Sequence, residues 1–255
     1  MFDSTKKLTT KEIFILAVKN HQKKNFQAAK KLYEQILKID PNNTEAYNNL
    51  GLIFSTLGEL QKSLDCYKKA IKIKPKLTST HTNLGLLYEK FKDNQKAISC
   101  YQQSIQIDPR YTLAYFNLGN VYKILGKYKE AKNSYKKAIE IQPNNAATYN
   151  NFGDLLSELG ENEKAKNSYK KAIEINPNFT NAYWNLHSFA KDIDEALNIL
   201  KKLLKIDNNF LKAKIMISAL EGFKGNFNDF NDLITTSESN HPYVRSIKWI
   251  FSLSK

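Results

Sequence analysis

The sequence predicts an all-α protein built as a solenoid of stacked antiparallel helix pairs. Three observations carry this. The 255-residue chain holds only 9 Gly and 6 Pro, and so few breakers leave the long uninterrupted segments that helices fill. Asn49-Leu50-Gly51 returns as Asn83-Leu84-Gly85 and as Asn117-Leu118-Gly119, with Asn151-Phe152-Gly153 next, a step of 34 residues each time. A period in this range marks supersecondary units that bury their apolar faces on one another. Third, small and aromatic residues recur four apart, as in Ala131 and Tyr135, so they share one helix face.

The first pair is expected near 10–23 and 26–39, and its Ile13, Ile15 and Ala17 depart from the columns of later units, as terminal repeats do. The following pairs fall near 44–57 and 60–73, 78–91 and 94–107, 112–125 and 128–141, and 146–159 and 162–175. In the first helices of these four pairs and of the one after them a large residue opens the unit at Tyr47, His81, Tyr115, Tyr149 and Tyr183. Gly51, Gly85, Gly119 and Gly153 sit mid-helix, where glycine costs about 1 kcal/mol against alanine, so a partner helix must approach closely there. Gly58, Gly126 and Gly160 fall between the two helices, where a left-handed cap is wanted. In the second helices Tyr33, Tyr67, Tyr101, Tyr135 and Tyr169 form one column, and Pro41, Pro75, Pro109, Pro143 and Pro177 close each unit.

A sixth pair near 180–191 and 193–206 is three residues short and has His187 in the glycine column. A weak seventh follows over about 210–223 and 227–236, then the polar stretch Thr235–Asn240. His241-Pro242 opens a last amphipathic helix, which either caps the final apolar face or leads into a further domain. The expected domains are a lead-in over 1–9, an array over 10–209 and a degenerate repeat with linker over 210–240. A C-terminal amphipathic helix over 241–255 completes them. Repeats in the array fall near 10–43, 44–77, 78–111, 112–145, 146–179 and 180–209.

These columns are those of the tetratricopeptide repeat family, and the chain is identified as resembling it across some six to seven repeats. The resemblance implies a right-handed superhelix whose first helices line the concave side. It further implies a scaffold that binds a protein or peptide rather than an enzyme. Repeat arms of this kind also precede transferase domains. An alternative expectation is therefore the substrate-docking arm of a bacterial glycosyl-, methyl- or sulfotransferase whose catalytic domain lies beyond Lys255.

Composition narrows the partners. The formal charge is +14, which draws acidic partners. Yet the only arginines are Arg110 and Arg245, whereas nucleic-acid readers favour arginine's bidentate fork, so nucleic acid and acidic membranes are not the expected ligands. Lys68-Lys69, Lys136-Lys137 and Lys170-Lys171 lie on the outer helices, as a solvated face or as a surface for an acidic partner. No signal-peptide h-region and no run of about 18 apolar residues is present, so the chain reads as cytoplasmic without a transmembrane segment. Cys66 and Cys100 stand 34 apart in one packing column. The four histidines are scattered, leaving no ligand set for a metal and no catalytic constellation. Gly119 to Lys127 lacks the spacing of a phosphate loop. No cofactor, no metal and no small-molecule substrate is expected.

The candidate site is the concave face. Asn49, Asn83, Asn117, Asn151 and Asn185 form a ladder in register, and an amide can both donate to and accept from the backbone of an extended peptide. This ladder resembles that of the repeat region of O-linked N-acetylglucosamine transferases, which implies the same use. The alternative is that each amide satisfies groups of its own array. Phe116 and Trp184, in the preceding column, either anchor a partner side chain or pack between repeats. Three places beyond each ladder asparagine stand Leu52, Leu86, Asn120, Asp154 and Ser188, of which Asn120 and Asp154 are further polar candidates.

Overall fold

The computed structural model describes residues 8–223. Among them are thirteen α-helices and no strand. They form six consecutive pairs: α1 (Thr10–Gln22) with α2 (Phe26–Ile39), α3 (Thr44–Thr56) with α4 (Leu60–Ile73), α5 (Thr78–Lys90) with α6 (Asn94–Ile107), α7 (Thr112–Ile124) with α8 (Tyr128–Ile141), α9 (Ala146–Glu158) with α10 (Asn162–Ile175), and α11 (Thr180–His187) with α12 (Ile193–Ile206). A last helix, α13 (Leu211–Phe223), packs on α12. The lead-in before residue 8, the expected helix at 227–236, the polar stretch and the C-terminal amphipathic helix lie outside the described residues. The chain divides into two compact units, Met1–Ile141 and Gln142–Lys255, which hold α1–α8 and α9–α13 respectively.

Helix limits follow local chemistry. Thr9 and Glu12 form a reciprocal capping box ahead of α1. The Asn43 and Asn145 side chains accept from Ala46 N and Thr148 N, satisfying amides that no helix turn can reach. One helix departs from expectation. α11 stops at His187 rather than near 191, because 3₁₀-type bonds from Phe189 N to Leu186 O and from Ala190 N to His187 O wind it off. Asp192 then caps α12 through Glu195 N at 2.8 Å, so the three missing residues are taken from the end of the first helix.

Four of the six pairs are locked by a tyrosine on a glycine. Tyr67, Tyr101, Tyr135 and Tyr169 are buried, and their rings cover Gly51, Gly85, Gly119 and Gly153. A Cβ on these glycines would stand 2.5, 2.5, 2.8 and 2.6 Å from the nearest ring carbon, far inside van der Waals contact. The first repeat has Ala17 in this column, with Tyr33 in edge contact with Phe14. At the turns Gly58, Gly126 and Gly160 take φ of +79°, +68° and +72°, and in the other two repeats of that column Lys24 and Lys92 adopt the same left-handed conformation.

Consecutive first helices also touch, α3 with α5 and α5 with α7 in one unit and α9 with α11 in the other. Among the described residues no consecutive second helices make comparable contact. Within each unit the array therefore closes toward its first-helix side, the inner face, and opens toward its second-helix side.

Candidate functional site

The asparagine columns lie on the first helices, and the structure gives their amides partners within the array. Asn83 Nδ2 donates to Asn48 Oδ1 at 3.1 Å, and Thr80 Oγ1 donates to the same oxygen at 3.0 Å. In the second unit Asn185 Nδ2 donates to Asn150 Oδ1 at 3.0 Å and to Asp154 Oδ1 at 2.8 Å. Both ladder bonds reach 35 residues back to an asparagine that precedes a ladder asparagine. Asn49 donates to the Tyr33 hydroxyl at 3.1 Å, and Asn151 Oδ1 accepts from Asn150 Nδ2 at 3.3 Å. Asn117 differs: it is buried, 5% exposed, and its Nδ2 has no acceptor. The residue 35 before it is Thr82, whose hydroxyl is taken up by Ser104 at 2.8 Å. Asn49, Asn83 and Asn185 thus brace one repeat against the one before it. Asn83, half-buried, keeps a second N–H and its carbonyl oxygen.

Asn120 and Asp154 end the hydroxyls of the ring-on-glycine tyrosines. Tyr135 donates to Asn120 Oδ1 at 2.7 Å and Tyr169 donates to Asp154 Oδ1 at 2.9 Å. Phe116 is half-buried, 6.4 Å from the Tyr135 ring. Trp184 is half-buried between His187 at 4.6 Å and Phe210 at 5.7 Å. Both aromatic residues pack within their own unit and keep part of their surface open.

In the two repeats where that same column carries leucine, the inner face has a groove instead. Leu52, Ser55 and Thr56 of α3 form one wall and Asn83, Leu86, Glu89 and Lys90 of α5 the other, over Tyr67, with a volume of about 460 Å³. Leu52 and Leu86 are each 38% exposed. Lys90 Nζ donates to Ser55 O at 2.8 Å and to Ser55 Oγ at 2.9 Å, tying the two helices together at one end. Glu89 accepts from the Tyr101 hydroxyl, and burial pushes its carboxyl above the usual carboxylate range. The groove thus offers two leucines, an amide, a carboxylate and an ammonium, which suits an apolar side chain and the backbone that carries it. In that column Asn120 and Asp154 are the expected polar candidates, and Leu52 and Leu86 are not among them. The signal was the leucine itself, an apolar residue at a solvent-facing place in two successive units.

Among the described residues no group of three or more His, Cys, Asp or Glu side chains could hold a metal ion, and no helix is long and apolar enough to cross a membrane.

Recurring helix pairs, a ring-on-glycine lock and a converging first-helix face define a helical repeat scaffold. Sequence comparison gives the family. Profiles of the tetratricopeptide repeat match residues 44–77 and 112–145, 134–167 and 16–43, and a related TPR repeat profile matches 92–125 and 153–188. The chain belongs to the tetratricopeptide repeat family. A comparison with curated proteins yields no match. Among solved structures, MamA is 28% identical with a TM-score of 0.55, over 65% of this chain and 91% of that one. YrrB, described as a TPR protein with an unusual peptide-binding site, is 22% identical with a TM-score of 0.56, over 71% of this chain and 97% of that one. PilF of Pseudomonas aeruginosa is 15% identical with a TM-score of 0.72, over 83% of this chain and 97% of that one. The last two likenesses speak to fold. The transferase-arm alternative finds no support in these comparisons.

Proposed function

We propose that the protein is an interaction scaffold that holds an extended segment of another protein along its inner face, with the groove between α3 and α5 as the main apolar contact. The observation that carries this is the pair of stacked, part-exposed leucines, Leu52 and Leu86, beside an amide with unused capacity, Asn83. Exposed apolar surface in a concave, polar-rimmed setting is where a partner gains most from desolvation. Along the rest of each inner face Asn49, Asn120, Asn151, Asp154 and Asn185 supply further polar contacts, and the open parts of Phe116 and Trp184 further apolar ones. YrrB's description adds that a fold of this kind can hold a peptide.

Covering the exposed third of two leucines is worth roughly 1–2 kcal/mol, about tenfold in affinity. The test is a peptide selected by display against the full chain. Leu52→Asp with Leu86→Asp should weaken it at least tenfold with the helical spectrum unchanged, while Lys136→Gln with Lys170→Gln on the second helices should leave it unaltered. Retention by the leucine variant and loss by the lysine variant would overturn the reading.

A further inference from the structure

A second cleft opens on the other side of the same helix. Where α4 and α6 diverge, the face of α5 is left uncovered between them, and a groove of about 430 Å³ forms there. Its floor is apolar, with Ile71 of α4, Leu84 and Tyr88 of α5 and Cys100 of α6. Burial pushes the Cys100 thiol up to about 11, so it stays neutral. Its rim is cationic: Lys68 and Lys72 stand one turn apart on α4, and Lys96 faces them from α6, its ammonium 5.5 Å from the Tyr88 ring centroid. Lys96 is paired with Asp93 at 2.6 Å. Lys68 and Lys72 are exposed, and two like charges four apart on a helix repel one another.

A lysine-rich outer surface alone would be a solvated face. Here all three rim places are lysine, where the places 34 residues earlier carry Glu34, Lys38 and Lys62. The places 34 residues on, where α6 and α8 flank α7, carry Gln102, Gln106 and Glu130 in place of Lys68, Lys72 and Lys96. In that groove Gln102 Nε2 donates to the hydroxyl of Tyr122, the counterpart of Tyr88, at 3.4 Å. This junction thus combines an apolar slot with a lysine wall in which Lys68 and Lys72 stand together on one helix. We propose that the groove between α4 and α6 is a second binding site, which takes an acidic protein segment carrying one large apolar side chain. The apolar side chain lies on Leu84 and Tyr88, and carboxylates on either side of it meet Lys68 and Lys72. Contacts of this kind combine desolvated apolar area with charge complementarity that selects the partner. The site is separate from the inner-face reading and stands or falls without it.

The probe is a set of 12-residue acidic peptides with a single central Phe, Leu or Trp, titrated into the full chain by fluorescence anisotropy at low and physiological salt. We expect saturable binding at one site. It should weaken at least tenfold when the central residue is replaced by Ala, and at least tenfold in Lys68→Gln/Lys72→Gln. It should change less than about twofold in Lys136→Gln/Lys170→Gln, which removes the same net charge elsewhere on the second helices. The rim lysines are exposed, and an unchanged melting temperature in both variants confirms that folding is not being read. No binding below millimolar concentration overturns the site. Equal loss in the two lysine variants, or equal binding of the Ala peptide, also overturns it, since a diffuse cationic surface then suffices. So does tighter binding of an RNA oligomer or of phosphatidylserine vesicles that Lys68→Gln/Lys72→Gln leaves unaltered.

Discussion

Replacing Gly85 by alanine tests the lock that sets the distance between the two helices of a repeat. The added Cβ would stand 2.5 Å from Tyr101 Cε1 and 2.8 Å from Cζ, so the ring has to withdraw by about 1 Å to restore ordinary contact. Tyr101 is fully buried and its hydroxyl is held by Glu89, so withdrawal breaks a hydrogen bond and disturbs the packing behind it. Overpacking of this kind costs about 1–3 kcal/mol, offset by roughly 1 kcal/mol that alanine gains over glycine within a helix. Ala17 shows that a Cβ can be accommodated in this column, in the one repeat where the tyrosine hydroxyl accepts from Asn49 of the following unit. We therefore expect a net loss of up to about 2 kcal/mol, read as a lower urea midpoint at constant slope. With the ring deleted by Tyr101→Ala, the same Gly85→Ala change should reverse sign and stabilise, since only the helix preference remains. A destabilisation of equal size in both backgrounds would refute the reasoning, because the cost would then come from somewhere other than the ring.

Further outcomes follow from the same structure. Lys92 holds φ of +60° where three other repeats have glycine. Lys92→Gly should stabilise the fold by about 0.5–1 kcal/mol, the cost of a left-handed side-chain residue less the entropy glycine loses on folding, read as a higher urea midpoint. Glu89→Gln keeps an acceptor for Tyr101 while removing a charge that burial disfavours. Because the folded carboxyl titrates above its unfolded value, the penalty is present at neutral pH and is relieved as pH falls through the raised value. The variant should therefore melt higher than the parent at pH 7, and the difference should close on acidification. Asn83→Ala should lower stability as well as affinity, since it releases Asn48 Oδ1 from one of its two donors. A thermal melt beside the binding isotherm separates the two effects.

Much of the fold was legible because its period is long and its columns have single physical causes. A mid-helix glycine announces a large neighbour, and the tyrosine sixteen places later supplies it. The left-handed turns at Lys24 and Lys92 were not legible, since the repeat geometry imposes there a conformation that lysine alone would not choose. The shortening of α11 came from a cap at Asp192 competing for the same few residues. For the site, the asparagine columns could be found but their state could not. Asn83 and Asn185 are spent on the asparagine 35 places earlier, Asn48 and Asn150, whereas Asn117 has Thr82 at that place. The groove between α3 and α5 was hidden by the opposite effect, because an exposed leucine reads as ordinary until a second one is stacked on it.

The central claim, that the inner face holds the partner, is tested most directly by a photoreactive residue placed at Thr56, on the wall of the groove between α3 and α5, and in a second protein at Lys136, exposed on α8. With the display-selected peptide, irradiation is predicted to give an adduct from Thr56 and none from Lys136. An adduct from Lys136 with none from Thr56 would contradict it.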